Sequence, residues 1–140
     1  LEALAGRGLR CALVCDTGLS SGAVVRRLLD RQGLLEHLEV TVFSDEVGVP
    51  KPNSRVFEAA LAPLGLADRP ALALHVGDLL RTDVSGARSA GMGTVRIRER
   101  HDDRGDLPEA DHVVDRHGEL LALLGEPPTP ARPTRSGVGS

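Results

Sequence analysis

The sequence predicts an α/β fold, a parallel sheet covered by helices on both faces, and three observations carry that prediction. Short apolar runs alternate with helical patterns along the chain. The runs are continuous in polarity, as strands buried on both faces are. Polar loops begin after three of them, at Cys15, Ser44 and Gly77. In such a sheet these points lie along one edge, at the carboxyl ends of the strands, where ligands bind.

Taken in order, Leu1–Leu4 reads as the end of a helix closed by Gly6 and Gly8, and Arg10–Cys15 as a buried strand. Asp16–Gly22 is a loop rich in Gly, Ser and Thr. Ser20 or Ser21 can cap a helix running to about Gln32, with Val24, Val25, Leu28 and Leu29 on one face and Gly33 as its stop. Glu39–Phe43 is a second strand, and Ser44–Pro52 a loop ending in Pro50-Lys51-Pro52. The two prolines restrict the backbone on either side of the lysine. Asn53 or Ser54 caps a helix to Leu64, and Ala71–Val76 is a third strand. A turn over Gly77–Thr82 opens a helix to about Ala90, broken by Gly91 and Gly93. Thr94–Ile97 and His112–Val114 are strands separated by a charged loop, and Asp115–Leu124 is a closing helix. The expected domain is 1–124. Residues 125–140, with four of the nine prolines and no apolar periodicity, are expected to be a disordered tail.

Composition narrows the function. The chain has 140 residues, 41% hydrophobic and 26% charged, which is globular. A net charge of -3 gives no basic excess for a general nucleic-acid binder. No apolar run approaches the roughly 18 residues of a membrane span, and no leader pattern is visible. With only Cys11 and Cys15, no disulfide framework is expected, and the default location is cytoplasmic. There is no Trp or Tyr and only Phe43 and Phe57, so no aromatic platform exists for stacking bases. Of 17 basic residues only Lys51 is a lysine.

Three groups could carry chemistry. Asp78 and Asp83, five apart where the third strand turns into a helix, can face one space, and paired carboxylates suit a hard cation such as Mg2+. The plainer alternative is that Asp78 caps the helix and Asp83 is solvated. Lys51 is a compact charge suited to phosphate or to a carboxylate, its alternative being a solvated loop residue. Around Cys15-Asp16-Thr17-Gly18, loop amides and the Cys15 or Thr17 side chains can hold an anion, although Cys15 also reads as a small buried residue. No Cys/His set has zinc spacing. His75, inside a strand, reads as a satisfied core histidine. His101, Asp102, Asp103 and Asp106 read as a solvated loop.

Together these stretches resemble the haloacid dehalogenase-like (HAD) hydrolases. VGDLLRTDVSGARSAGMGTV (Val76–Val95) is similar to their fourth motif, and FSDEVGVPKPNSRVFEAAL (Phe43–Leu61) to their lysine motif. LVCDTGLSSGAVVRRLLDRQGL (Leu13–Leu34) is similar to their second motif. The resemblance covers about Leu1–Leu124 and is best for the subfamily whose cap lies between the first two motifs. It implies a Rossmann-like core. It also implies Mg2+ at Asp78 and Asp83, Lys51 on the attacking carboxylate and phosphoryl oxygens, and the Cys15–Thr17 loop on the transferring group. Cys15 stands where Ser or Thr is usual, and Asp16 where Asn often follows.

The family's nucleophile, an aspartate in a DxDx[TV] motif, has no counterpart here: no DxD follows any strand. The chain therefore reads as the carboxyl-terminal part of such an enzyme, lacking the first strand, the nucleophile and the cap. In the family's strand order, 5-4-1-2-3, the missing strand is the central one. The first and third strands of this chain must then pair directly or leave two open edges, and the chain alone is expected to be marginal or aggregation-prone. The function implied is a Mg2+-dependent phosphatase acting on a small phosphorylated metabolite through an aspartyl-phosphate, with a dehalogenase as the close rival. The alternative of a different class is a non-catalytic remnant that binds Mg2+, an anion or a partner chain. A phospho-acceptor signalling domain shares the Asp/Lys chemistry but not the fourth motif. Substrate and oligomeric state are not legible.

Overall fold

The structure, a computed structural model, describes residues 1–125. The tail expected at 125–140 thus lies, apart from Gly125, outside the described residues. The element order is α1 (Glu2–Ala5), β1 (Ala12–Cys15), α2 (Gly22–Arg31), β2 (Val40–Phe43), α3 (Ser44–Val47), α4 (Ser54–Leu61), β3 (Leu74–Gly77), α5 (Ser85–Ser89), β4 (Gly93–Ile97), β5 (His112–Val114) and α6 (Glu119–Leu123).

Local chemistry explains most of the boundaries. α2 stops where Gly33 takes a left-handed φ of 67°. Asn53 caps α4 by accepting from the Arg55 N–H at 3.1 Å, and α4 ends at Leu61, two residues before Pro63. β3 starts at Leu74 rather than Ala71, because Pro70–Leu72 winds into a 3-10 turn. The loop expected over Ser44–Pro52 instead opens with the short α3, closed by Gly48 at φ 84°. The helix expected after Gly77 begins as a π turn over Leu80–Val84, in which the Val84 N–H reaches back to the Leu79 carbonyl at 3.2 Å. π turns widen a helix locally and gather at functional sites. α6 covers only the last turn of its expected span, starting after Gly118.

The strands pair in parallel throughout, but in two sheets. β1 pairs with β2, Ala12 opposite Val40 and Cys15 opposite Phe43. β3 pairs with β4 and β4 with β5. β1 and β3 do not pair, so of the two arrangements expected from the sequence the open-edged one is found. On β3, Leu74 is 43% and Val76 38% exposed, high values for apolar residues in what the sequence reads as a strand of a sheet covered on both faces.

Two apolar clusters hold the layers. Val42, Val56, Phe57, Ala60 and Ala87 join β2, α4 and α5. Val95, Ile97, Val114 and Leu120 join β4, β5 and α6. Both phenylalanines are fully buried, and each rests on a glycine. A Cβ on Gly22 would lie 2.6 Å from the Phe43 ring, and one on Gly86 2.7 Å from the Phe57 ring. Ring and helix backbone therefore touch directly, which is how a core with so few aromatics stays close-packed.

Candidate functional site

Three loops follow β1, β2 and β3, and hydrogen bonds tie them together. Thr17, after β1, donates its N–H to Ser44 Oγ at 2.8 Å and its hydroxyl to Asp45 Oδ1 at 2.9 Å. Asp45 also accepts the Gly22 N–H at 3.0 Å, capping α2 in place of the expected serines. That bond, helped by the one from Thr17 and opposed by burial, holds the Asp45 carboxyl below its ordinary value. Asp16 Oδ1 accepts the Lys51 N–H at 2.9 Å. Within Pro50-Lys51-Pro52 only the lysine has a backbone N–H to give, so this bond fixes the loop through its single donor. An open cavity of about 580 Å³ lies beside these ties, lined among others by Thr17, Ser44, Asp45 and Pro50.

Lys51 then reaches across to the loop after β3. Its Nζ donates to Asp83 Oδ1 at 2.6 Å, with the lysine side chain 13% and the aspartate 5% exposed. His75 Nε2 meets the same oxygen at 3.0 Å, and the Leu79 N–H donates to Oδ2 at 3.1 Å. Burial by itself would raise the Asp83 carboxyl. The hydrogen bonds from His75 and Lys51 and their charges overcome it and hold the group well below the usual carboxylate range. The carboxylate approaches so closely because residue 77 has no side chain: a Cβ on Gly77 would fall 2.3 Å from Asp83 Cγ.

Asp78, half-buried one residue past β3, accepts no hydrogen bond among the described residues. The Leu80 N–H in the same loop is taken by Asp103 Oδ2 at 2.8 Å. In the late loop, expected to be solvated, His101, Asp102 and Asp106 are exposed, while Asp102 also pairs with the buried Arg96 at 2.9 Å and the half-buried Asp103 braces the β3 loop. Cys15 donates weakly to the Asp16 carbonyl at 3.7 Å, and burial pushes its thiol up despite the nearby Lys51 charge.

Lys51, Asp83 and Asp16 are therefore brought together, and Asp78 lies on the loop that carries Asp83. Both Thr17 donors point to Ser44 and Asp45, and Cys15 points to its neighbour's carbonyl. Sequence reasoning missed Ser44, Asp45 and the contact of His75 with Asp83. No local pattern marks Ser44 or Asp45. The turn expected over Gly77–Thr82, between His75 and Asp83, is the one signal that could have paired them.

A hard cation fits this set in kind. Asp78 offers a carboxylate with no protein donor, whereas both Asp83 oxygens are engaged, so Asp78 would hold the ion directly and Asp83 through water. In number the set is short: no group of three or more His, Cys, Asp or Glu among the described residues could hold a metal.

Comparison with known proteins agrees with this architecture. A family model described as "Hydrolase: haloacid dehalogenase-like hydrolase" matches residues 1–91. A glyceraldehyde 3-phosphate phosphatase of Methanopyrus kandleri is 40% identical over 118 residues, covering 77% of this chain and 48% of that protein. A phosphoserine phosphatase of Thermus thermophilus is 40% identical over 103 residues, covering 74% and 37% respectively. The crystal structure of a HAD phosphatase from Thermococcus onnurineus superposes with a TM-score of 0.77 at 32% identity, over 90% of this chain and 55% of that one. The chain spans about half the length, or less, of the relatives it matches.

Proposed function

The chain belongs to the haloacid dehalogenase-like hydrolases, and from that premise we propose that it forms the carboxyl-terminal half of the catalytic core of a Mg2+-dependent phosphatase for a small phosphorylated metabolite. The observation that carries this reading is the buried Lys51–Asp83 pair, set at the strand ends with Asp83 on the loop that also carries Asp78. The relatives' names support phosphate-ester chemistry, and their different substrates leave the metabolite open.

In this reading the nucleophilic aspartate comes from residues outside the chain. A strand carrying it would pair with the open edges of β1 and β3 and deliver its carboxylate between the loops after them. That carboxylate attacks phosphorus, the P–O bond to the substrate breaks, and an aspartyl-phosphate forms while the leaving oxygen takes a proton from the second aspartate of the same DxD motif, also outside the chain. That aspartate then takes a proton from water as it attacks phosphorus, releasing inorganic phosphate and restoring the carboxylate. Lys51 neutralises charge on the nucleophile and the phosphoryl oxygens, held in place by Asp83 through its ammonium and by Asp16 through its backbone N–H. Asp78 would hold the cation, whose part is to offset the charge of the transferring phosphoryl group. Free N–H groups of the Asp16–Gly18 loop are the candidate contacts to that group, since the Thr17 N–H is committed to Ser44.

The test is phosphate release from a panel of phosphorylated metabolites by the full-length gene product, with and without Mg2+. Lys51→Ala should cost at least about a hundredfold in kcat. Unchanged turnover in that variant would remove Lys51 from the reaction. Absence of activity in the full-length protein would favour the alternative, a non-catalytic domain that binds an anion or a partner chain at the open edges of β1 and β3.

A further inference from the structure

We propose that His75 is a positioning residue for the Lys51–Asp83 pair, and that its Nε2–H, donated to Asp83 Oδ1, sets where the lysine ammonium stands. The proposal rests on the reading of Lys51 just given and deepens it. His75 sits on β3 between Leu74 and Val76, whose side chains are exposed, and its own ring is only 11% exposed. Strand alternation sends it to the opposite face, where it meets Phe57 edge-on, ring centroids 5.1 Å apart and planes at 89°. Phe57 is fully buried and wedged against Gly86. The ring plane of His75 is thus fixed by the core, and its Nε2 is aimed at Asp83 Oδ1 at 3.0 Å.

This contact has a consequence that Lys51 by itself does not supply. Lysine reaches Asp83 on a flexible four-carbon stem, and one bond from such a donor leaves a carboxylate free to turn. His75 donates from a strand to the same oxygen, while Leu79 holds the other oxygen from the backbone. Three donors of which two are rigid leave Asp83 one orientation, and Lys51 docks onto the result. The order of control runs from Phe57 through His75 and Asp83 to Lys51. A carboxylate accepts only from a protonated nitrogen, so Nε2 must carry hydrogen.

Two measurements on the full-length gene product test this. The first is long-range 1H–15N NMR of His75, which needs no activity. The proposal expects a protonated Nε2, and an Nδ1–H tautomer with bare Nε2 would overturn it. The second is phosphatase kinetics of His75→Leu and His75→Gln. Leu fills the space without a donor, and Gln returns an N–H near the Nε2 position. For Leu the expectation is a kcat lower by about tenfold or more with KM within about twofold, and for Gln recovery to within about threefold of wild type. Leu at full kcat, or Leu and Gln equally impaired, would reduce His75 to a packing residue and overturn the proposal. If His75→Leu does not fold, the Gln variant and the tautomer decide. A protonated Nε2 in a protein without phosphatase activity would sink the phosphatase reading and leave the positioning contact standing.

Discussion

At the scale of single residues, the site depends on a few atoms being absent or committed. Gly77 matters for the side chain it lacks. Gly77→Ala puts a Cβ where the Asp83 carboxylate lies, and neither the strand nor the buried acid can give way. We expect a loss of about 1–3 kcal/mol in chemical denaturation, together with a fall in kcat. Wild-type values in both would show that Asp83 moves freely. Asp16 separates two roles by substitution. Asp16→Asn keeps an acceptor for the Lys51 N–H and removes a negative charge beside the proposed phosphoryl site, so KM should fall with kcat retained. Asp16→Ala loses the acceptor, so kcat should fall as well. Equal kinetics for the two would contradict the clamp. Lys51 and the aspartates of the third loop stood out in the sequence because each is unusual locally: the only lysine, flanked by prolines, and two acids straddling a turn. His75 did not, because a histidine inside a strand has many bland explanations and its partner lies eight residues away across a π turn.

At the scale of elements, the strands were the most legible part. All five arose from the short runs expected to form them, each rich in Val or Leu and bounded by turn or polar residues. Boundaries slipped where tertiary contacts override local pattern. The α2 cap is Asp45, from α3 more than twenty residues on, and no local pattern encodes it. At the π turn the Leu79 N–H goes to Asp83 and the Leu80 N–H to Asp103, the latter from a loop more than twenty residues on. The seam between α4 and α5 is glycine against ring: a Cβ at Gly86 would also lie 3.0 Å from Pro52 Cα, which is backbone and yields little. Gly86→Ala should therefore destabilise by about 1–3 kcal/mol, measured by urea unfolding. Because Pro52 adjoins Lys51, kcat should drop more than a core change elsewhere would cause, and a stability loss with unchanged kcat would separate the seam from the site.

At the scale of the whole molecule, two sheets that do not pair are joined through α4 and the Lys51 bridge. The missing DxD strand left direct pairing or open edges as the two expectations, and the structure leaves β1 and β3 unpaired with each other while Leu74 and Val76 of β3 are exposed. The isolated chain should unfold broadly and associate at rising concentration, as read by light scattering during a thermal ramp. A sharp, reversible, concentration-independent transition would count against this. Stability should also depend on acid. The Gly22 N–H holds the Asp45 carboxyl below its ordinary value, Arg96 does the same for Asp102 and Glu109, and Thr94 for Asp111. Carboxyls with lowered folded values contribute stability that is fully present above the unfolded value of about 4 and is lost as pH falls through the folded one. The thermal midpoint should hold steady from about pH 7 to 5.5 and decline below about 4.5. A midpoint that rises on acidification would reverse the sign and exclude these ties as the cause.

The most direct measurement of the central claim is the Mg2+ dependence of phosphate release by the full-length gene product, wild type against Asp78→Asn. Asparagine keeps the shape of the side chain and removes its charge. The account predicts that wild type is activated by Mg2+ and that the variant loses most of its turnover, recovering part of it only at much higher Mg2+. Unchanged Mg2+-dependent turnover in Asp78→Asn would contradict it, because the carboxylate that follows β3 without a hydrogen-bond donor among the described residues would then have no part in holding the ion.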